Sequence, residues 1–423
     1  MNPAYSALLS FRSSTVLWML ITAGMLLRLA WALVFPVEPV SDSHAYDVFA
    51  RNLFQHGVYG WTPEEPGAYW PVGTSALVAL TYLLVGDSYV GVVMLNLLAG
   101  LVSMILVYRL GEIYFDTRVA LCAVAAMAFW PNLIMFTSIL SSELFFIAFT
   151  LGGLWFWERR SGIGWVNLLL CGLLWGAACY VRPIILLVPL ALVIAALPYG
   201  MAGLLRKALR AGLVTVLMLA LVAPWSYRNY QVFDQFVLVS TNFGPNLWMG
   251  NNPESDGGYM PLPDKVRGLS ETERAQVLGD IAKEYIREDP LRFARDTLRK
   301  LVRLHDRETI GVAWNEAAIE RRLGSEGLLA LKVLSTGYWY LLLICAFAGI
   351  VALLRRDPVR AIFNPPLAIW AYFAALHAVV VVMDRYHMPS APFIALLAGI
   401  SVAAIFSRRS AGASRAAAGS GVD

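Results

Sequence analysis

The sequence of 423 residues has little charge: Asp, Glu, Lys and Arg make up 15% of it, whereas 58% is hydrophobic. A soluble domain has no use for so much apolar surface, because much of it would be left facing water. Runs of roughly 18 or more apolar residues are typical of membrane-spanning helices. The composition therefore argues against a soluble protein and predicts an all-α polytopic integral membrane protein surrounded by membrane lipids.

Cysteine is also scarce, and its placement predicts helix packing. The four cysteines all fall inside apolar runs, at positions 122, 171, 179 and 345. Cys171 and Cys179 lie on one predicted helix, about 12 Å apart along its axis, which is too far for a disulfide. No metal-ligand spacing is present. We therefore expect no cofactor, and a divalent metal has no support from ligand spacing.

The excess of positive charge is small, +4, and it clusters in short loops. This argues against a nucleic acid partner and instead marks the cytoplasmic side of a membrane protein, where Lys and Arg are enriched. The five basic segments are 109–118, 159–160, 206–210, 355–360 and 408–415. The connections that alternate with them are then expected outside, and they are 138–143, 182–183, 227–327 and 384–387.

Apolar runs define a bundle of about ten crossing helices. The eleven runs are about 14–36, 72–86, 89–108, 119–137, 140–157, 165–181, 184–199, 211–226, 328–354, 366–383 and 388–406. The run 72–86 follows Pro71 and contains Thr74 and Thr81. Runs of that length are often interfacial or re-entrant, so we expect it not to cross. The first outer loop, with its juxtamembrane helices, then extends over 37–88.

These boundaries divide the chain into four parts. They are an N-terminal membrane module (1–227), a small polar outer domain (228–327), C-terminal membrane helices (328–407) and a disordered cytoplasmic tail (408–423). In the polar domain, Ser270 and Glu273 have the spacing of a capping box, and Pro290 ends that helix or begins another. The segment 291–307 is basic and amphipathic, which suits either a membrane surface or a solvated helix.

Asp42 is the first candidate for chemistry, since it follows the first apolar helix at the edge of the hydrocarbon. A carboxylate in this position is suited to accept a proton from a group that reacts with a lipid headgroup. The alternative is a helix cap, because Asp is a favoured capping residue. His44 lies two residues away and is a weaker candidate.

Three further charged residues lie at predicted outer ends of spans. Glu143 starts a membrane helix, where it is costly unless it has a partner or a task, although the helix dipole also stabilises it. Arg182 occupies the short turn before Pro183 and offers paired donors for a phosphate, or else extends to lipid headgroups. Arg385 lies in the outer segment 384–387.

Several short motifs occur in an order that resembles a known group of enzymes. They are Asp42 with Tyr46 and Ala50–Arg51–Asn52–Leu53, Tyr69–Trp70–Pro71–Val72–Gly73, Glu143, Arg182–Pro183, Pro224–Trp225 with Arg228–Asn229, Asn246–Leu247–Trp248 with Gly250–Asn251–Asn252, and Arg385–Tyr386 with Pro389. The order is similar to that of GT-C glycosyltransferases that use polyprenyl-phosphate sugars. This group contains protein mannosyltransferases and lipid A aminoarabinose transferases.

The resemblance implies a sugar donor on a polyprenyl monophosphate and an inverting reaction. Asp42 takes the place of the catalytic carboxylate and Glu143 that of a second outer-loop acid. Trp70 stands where aminoarabinose transferases carry a Lys, and Ser43–His44 replaces an acidic neighbour, which weakens any argument for a metal. The motif residues expected in the substrate pocket are His44, Tyr46, Tyr69, Asn229 and Asn251.

Together these observations predict a glycosyltransferase with Asp42 as general base and Arg182 at the departing phosphate, helped by Arg385 or Arg228. The acceptor would be a glycan, a lipid or a protein. We expect it in a bacterial inner membrane with its site facing the periplasm. Two alternatives stay open. One is a diphosphate-donor envelope-glycan polymerase or ligase of related fold, and the other is a lipid or solute transporter, which would place charges near the bilayer midplane.

Overall fold

A computed structural model describes residues 3–159 and 164–419, with side chains described from 13 to 406 within those ranges. The predicted all-α membrane fold is confirmed, and within the described residues the only strands form one small antiparallel hairpin, β1 (Gly60–Thr62) and β2 (Glu65–Pro66). The helices are α1 (Pro3–Val34), α2 (Asp42–His56), α3 (Val72–Val85), α4 (Tyr89–Tyr114), α5 (Thr117–Ala128), α6 (Pro131–Met135), α7 (Glu143–Glu158), α8 (Gly164–Val181), α9 (Val188–Ile194), α10 (Met201–Phe233), α11 (Phe243–Asn251), α12 (Glu271–Glu288), α13 (Pro290–Arg303), α14 (Ile310–Ala313), α15 (Glu316–Arg356), α16 (Pro358–Ile362), α17 (Pro365–Val379) and α18 (Ala391–Gly419).

By length and composition, six helices in the described part of the chain are able to cross a membrane. These spans are Ser13–Val34, Tyr89–Tyr114, Gly164–Val181, Met201–Phe233, Glu316–Arg356 and Met388–Phe406. A seventh results if α5 and the segment Pro131–Ser138, which bend by 56° relative to each other, form one broken span. Shorter apolar helices lie at Val72–Val85, Pro183–Tyr199 and Pro365–Val379. The predicted number of ten crossings stays a prediction.

Contacts between helix ends show that the bundle has two distinct ends. At one end, Arg182 after α8 contacts Glu143 at the start of α7. At the other end, Lys207 near the start of α10 lies 3.8 Å from Glu158 at the end of α7. Glu143 and Glu158 lie at opposite ends of α7, and α10 begins beside Glu158. The polar block between α10 and α15, called the outer block below, therefore lies at the end that carries Glu143.

The first outer loop folds around α2 and α3, which lie side by side. Asp47 of α2 is buried and accepts a hydrogen bond of 2.8 Å from the hydroxyl of Tyr89, where α4 begins. Arg51, one turn further along α2, pairs with Asp87 after α3. Both contacts hold the end of α3 beside α2, while Leu84 on the other face of α3 is 74% exposed. This geometry suits an interfacial helix.

Arg28, a buried cation in the C-terminal half of α1, binds the end of α5. Its guanidinium donates to the carbonyl oxygens of Met127 at 2.8 Å and Ala128 at 3.0 Å, and to Gly24 in its own helix at 3.0 Å. The last carbonyls of a helix have no partner within the helix, so a cation at this position satisfies them. Arg28 therefore stabilises the break between α5 and α6, which begins at Pro131.

The polar block between α10 and α15 is attached to the first outer loop. The predicted capping box at Ser270 is confirmed, since its hydroxyl accepts from Glu273 N and the Glu273 carboxylate accepts from Ser270 N. Glu271 reaches across to the first outer loop and accepts hydrogen bonds from Ala68 N at 2.9 Å and the hydroxyl of Thr241 at 2.8 Å. The carboxylate of Glu271 therefore connects the outer block to the loop that begins after α1.

Pro290 begins a second helix, α13, which was one of the two possibilities that the sequence left open. Apolar side chains of α13 such as Leu291 and Leu298 are exposed. The sequence-based boundaries at 228 and 327 fall inside α10 and α15, because α10 continues past Pro224 and α15 begins before its kink at Gly324. The tail predicted to be disordered, 408–423, is helical up to Gly419, and residues 420–423 lie outside the described residues.

The side-by-side packing of α2 and α3 predicts that both ends of the first outer loop face one side of the membrane. A cysteine in place of exposed Glu64 and one in place of Asp87 should therefore react with a membrane-impermeant maleimide from the same side. Arg355→Cys, at the other end of the bundle, is the control and should react from the opposite side. Labelling of positions 64 and 87 from opposite sides would show that α3 crosses.

The capping of α5 predicts that Arg28→Met destabilises the protein. The substitution keeps an apolar stem but leaves two buried carbonyl oxygens without donors, which we expect to lower the free energy of unfolding by about 3 kcal/mol. Thermal unfolding in detergent micelles measures this loss. Arg109→Met removes an exposed arginine 3.6 Å from Glu112, and it serves as the matched control that should change little. Equal stability of both variants would contradict the capping role.

Candidate active site

Asp42 is the first residue of α2, which follows directly from the end of the first membrane helix. Ser41, and not Asp42, occupies the N-cap position, with a φ of 53° that residues other than glycine rarely adopt. Asp42 is therefore not the helix cap. Its carboxylate pairs with the guanidinium of Arg385, and 26% of the side chain is exposed. The carboxylate is thus both paired and within reach of a ligand.

Glu143 is completely buried at the start of α7, where the positive end of the helix dipole favours a carboxylate. It accepts a hydrogen bond from Arg182, whose Nε also donates to the Ser142 hydroxyl at 2.9 Å. The Nη1 atom of Arg385 lies 3.7 Å from the same Glu143 oxygen. Glu143 therefore holds two guanidinium groups at the end of α7.

Arg385 lies between the two carboxylates and is 4% exposed. Burial alone would lower the pKa of Arg385, but Asp42 and Glu143 raise it well above its ordinary value, so the guanidinium keeps its charge. The guanidinium carbon of Arg385 lies 4.6 Å from the centre of the Trp314 ring. Among the residues that the structure describes, its buried Nε and Nη1 atoms have no hydrogen-bond partner, although Nη1 faces the Glu143 carboxylate. Arg385 therefore has unused hydrogen-bonding capacity inside the cluster.

Two tyrosines of the predicted pocket lie near this cluster. Burial raises the pKa of Tyr46, and the neighbouring Asp42 raises it further. Burial and Asp42 raise the pKa of Tyr69 in the same way. Both hydroxyls therefore keep their protons and are able to donate hydrogen bonds. His44 lies on the exposed side of the first turn of α2, away from the buried charges.

The other predicted site residues bind backbone groups elsewhere. Arg228 donates to the carbonyl oxygens of Gly67 at 2.8 Å and Tyr59 at 3.3 Å. Asn229 is fully buried, and its amide donates to a carbonyl oxygen of the loop after α10 at 3.1 Å. Asn251 donates to the Val379 carbonyl oxygen at the end of α17, at 3.1 Å. The structure therefore places these three side chains as anchors of loops around the charged cluster.

Sequence reasoning missed His377, which lies near the cluster from α17. Its ring stacks on Tyr386 with centroids 4.6 Å apart, and its buried Nε2 atom has no hydrogen-bond partner among the side chains and backbone that the structure describes. The guanidinium carbon of Arg182 lies 5.8 Å from the same Tyr386 ring. The only signal in the sequence was a histidine within an otherwise apolar run. Ser142 was missed because a serine next to Glu143 has no distinctive pattern.

The charged cluster contains two carboxylates and two arginines. Within residues 3–159 and 164–419, no three His, Cys, Asp or Glu side chains are arranged to hold a metal ion. The guanidinium of Arg385 lies between Asp42 and Glu143, and Glu143 also accepts a hydrogen bond from Arg182. Chemically, the arrangement offers one reachable carboxylate as a proton acceptor and two arginines as an anion site.

A comparison with protein-family models finds one match. Residues 70–227 match the family model described as dolichyl-phosphate-mannose-protein mannosyltransferase. This stretch contains Glu143 and Arg182, while Asp42 and Arg385 lie outside it. A comparison with curated protein sequences finds no match. The resemblance to GT-C glycosyltransferases is thus confirmed for residues 70–227, the larger part of the predicted N-terminal membrane module.

Two solved archaeal structures share the fold. The Archaeoglobus fulgidus oligosaccharyltransferase in complex with Zn and sulfate aligns with a TM-score of 0.58 and 16% identity, over 93% of this chain and 49% of that one. AglB from the same organism, in complex with an inhibitory peptide and a dolichol-phosphate, aligns with a TM-score of 0.55 and 13% identity, over 94% of this chain and 51% of that one. ArnT from Cupriavidus metallidurans aligns with a TM-score of 0.46 and 15% identity, over 92% of this chain and 78% of that one. The chain spans about half the length of the two archaeal proteins.

Proposed function

We propose that this protein is a membrane glycosyltransferase that moves a sugar from a polyprenyl monophosphate carrier to an acceptor, with inversion at the anomeric carbon. One observation carries the proposal: the reachable carboxylate of Asp42 and the guanidinium groups of Arg182 and Arg385 meet at one end of an apolar helix bundle. A lipid carrier is able to keep its tail in the hydrocarbon there while its headgroup enters the cluster. The family match and the archaeal dolichol-phosphate complex support this donor class.

The two arginines are suited to stabilise the departing phosphate. Both are largely buried, with 11% and 5% of their side chains exposed, and Glu143 holds them in place before any ligand binds. Charge that develops on the leaving oxygen is stabilised best by donors that need no reorganisation, often by about 3 kcal/mol per donor. We assign the Nε donor of Arg385 to the phosphate, because within the described residues it has no hydrogen-bond partner, whereas Nη1 faces Glu143.

Asp42 is suited to act as the general base. Its side chain is partly exposed, whereas Glu143 is completely enclosed and both of its charged neighbours are arginines. Asp42 would accept the proton of the acceptor hydroxyl or amine as that group attacks the anomeric carbon, and the carrier phosphate would leave from the opposite face. The sequence predicted Glu143 as a second catalytic acid, and its burial favours positioning of the two arginines instead.

Arg228 was predicted as a further phosphate ligand, but its hydrogen bonds to Gly67 and Tyr59 favour a role in holding the first outer loop. The outer block approaches the same loop through Glu271 and Ala68, next to Tyr69. We therefore propose that the acceptor, whether glycan, lipid or protein, enters between this block and Asp42. We propose that this end lies on the outer side of a plasma membrane, which the enrichment of Lys and Arg in the loops at the other end supports.

Grouping of the charges at one end of the bundle favours catalysis at the interface over a transporter, in which ionisable groups usually lie near the bilayer midplane. A strict requirement for a divalent metal in the transfer assay would instead favour a polymerase or ligase that uses diphosphate donors. The sugar and the acceptor can be identified by mass spectrometry of envelope lipids, glycans and proteins from cells with and without this chain.

If Asp42 is the base, Asp42→Asn should abolish most of the transfer while the protein still folds and inserts. General base catalysis is typically worth about 100- to 10,000-fold, so we expect turnover to fall within that range. The modified product identified by mass spectrometry provides the assay. Asp280→Asn changes an exposed aspartate of α12 in the same way and should leave turnover intact. Near-normal turnover of Asp42→Asn would refute the base assignment.

If Arg182 binds the carrier phosphate, Arg182→Ala should weaken the binding of a polyprenyl monophosphate by roughly 10- to 100-fold, because hydrogen bonds to charged groups contribute that much. Native mass spectrometry of the protein with added undecaprenyl phosphate measures the affinity. Arg109→Ala, at the opposite end of the bundle, removes the same charge and should bind as the wild type does. Unchanged affinity of Arg182→Ala would indicate that Arg182 only contacts lipid headgroups.

A further inference from the structure

The segment that carries Arg385 is held on both sides by two neighbouring residues of the outer block. On one side, the Asp384 carboxylate accepts hydrogen bonds from the Thr309 backbone N at 3.0 Å and from the Thr309 hydroxyl at 2.8 Å. On the other side, the His387 Nε2 atom lies 3.0 Å from a carboxylate oxygen of Glu308. Thr309 thus binds Asp384, and Glu308 binds His387, on either side of the pair 385–386.

The Glu308–His387 contact is deeply buried, with 1% or less of either side chain exposed. The second carboxylate oxygen of Glu308 accepts the indole N–H of Trp130 at 2.7 Å. The other ring nitrogen of His387 donates to the Leu304 carbonyl oxygen at 3.1 Å, and the ring stacks on Trp339 with centroids 4.1 Å apart. Such a fully bonded buried network permits little movement.

The side chain of Arg385 is held by its ion pairs with Asp42 and Glu143, not by a fully bonded network of this kind. Its Nε and Nη1 atoms have no hydrogen-bond partner in the described part of the chain, so its position depends on the ion pairs and on the backbone that carries it. An arginine side chain has high rotamer entropy, and a site with loosely held donors loses rate and affinity when they move by about 1 Å. Rigid attachment of the backbone on both sides of Arg385 therefore helps to keep its N–H donors in position.

We propose that Glu308 and Thr309 are positioning residues that fix the guanidinium of Arg385 between Asp42 and Glu143, acting through His387 and Asp384. The proposal rests on the proposed role of Arg385 in binding the carrier phosphate. It assigns a function to a buried acid–histidine pair that the transfer reaction itself does not use. It also links the outer block directly to the anion site, since residues 308 and 309 follow α13.

Thr309 offers the sharper test, because it is only half-buried and its side chain makes the 2.8 Å bond to Asp384. Thr309→Val keeps the shape of the side chain and removes the hydroxyl, whereas Thr309→Ser keeps the hydroxyl. Thr117→Val makes the same change at the other end of the bundle, where the hydroxyl lies 3.4 Å from Glu112, and it controls for the loss of a threonine hydroxyl.

The experiment measures the affinity of the full-length protein in lipid nanodiscs for undecaprenyl phosphate, by native mass spectrometry. Thr309→Val should weaken binding roughly tenfold, since one hydrogen bond to a charged group is lost. Thr309→Ser and Thr117→Val should bind within about twofold of the wild type, below the loss expected for one such bond. Arg385→Ala should bind poorly, and adding Thr309→Val to Arg385→Ala should cause no further loss, because the hydroxyl acts only through Arg385.

The outcomes separate this proposal from the proposed function. Wild-type affinity in Arg385→Ala would overturn the phosphate role of Arg385, and the positioning proposal with it. Weak binding in Arg385→Ala together with wild-type binding in Thr309→Val would overturn only the positioning role. A further loss in the double variant would do the same, because it would show that Thr309 contributes to the structure independently of Arg385. Glu308→Gln, which keeps the size of the side chain, should also weaken binding only when Arg385 is present.

Discussion

The guanidinium of Arg385, shared between Asp42 and Glu143, is the interaction on which the end of the bundle depends. The charged cluster joins four separate parts of the chain, because Asp42 begins α2, Glu143 begins α7, Arg182 follows α8 and Arg385 precedes α18. Burying several charges is costly unless they compensate one another, and removing one partner leaves an unpaired charge. Two carboxylates and two guanidinium groups are balanced in charge. The same cluster therefore closes the helix bundle and prepares an anion site.

Other buried polar groups keep this cluster in place. Arg28 binds the last carbonyl oxygens of α5 inside the bundle. Glu271 attaches the outer block to the loop that carries Asp42. Lys300 of α13 is buried and donates to the carbonyl oxygen of Val379, the last residue of α17, at 3.1 Å. Burial lowers the pKa of Lys300 to about 8. Arg28 and Lys300 thus satisfy backbone carbonyl groups where a helix ends, and Glu271 satisfies a backbone N–H of the first outer loop.

The charged members of the site were recognisable in the sequence, and several of its polar members were not. Asp42, Glu143, Arg182 and Arg385 stand out because each is a charged residue near the end of an apolar run. Arg228, Asn229 and Asn251 belong to motifs of similar appearance, yet their side chains bind loop carbonyl oxygens. Their motifs could not show this, because the partners lie in other parts of the chain: Gly67 is 161 residues from Arg228 in the sequence. Glu308 was overlooked for the same reason.

The amino-acid pattern alone decides that this chain is a helical membrane protein, where its apolar runs lie and that its few isolated charges gather between runs. These properties depend on local hydrophobicity and charge, which neighbouring residues in the sequence report directly. Only the tertiary structure decides which carboxylate is exposed, which is enclosed and which arginine lies between them. That outcome depends on contacts between residues far apart in the chain, such as Asp42 and Arg385, 343 positions apart. Packing of the helices brings them together.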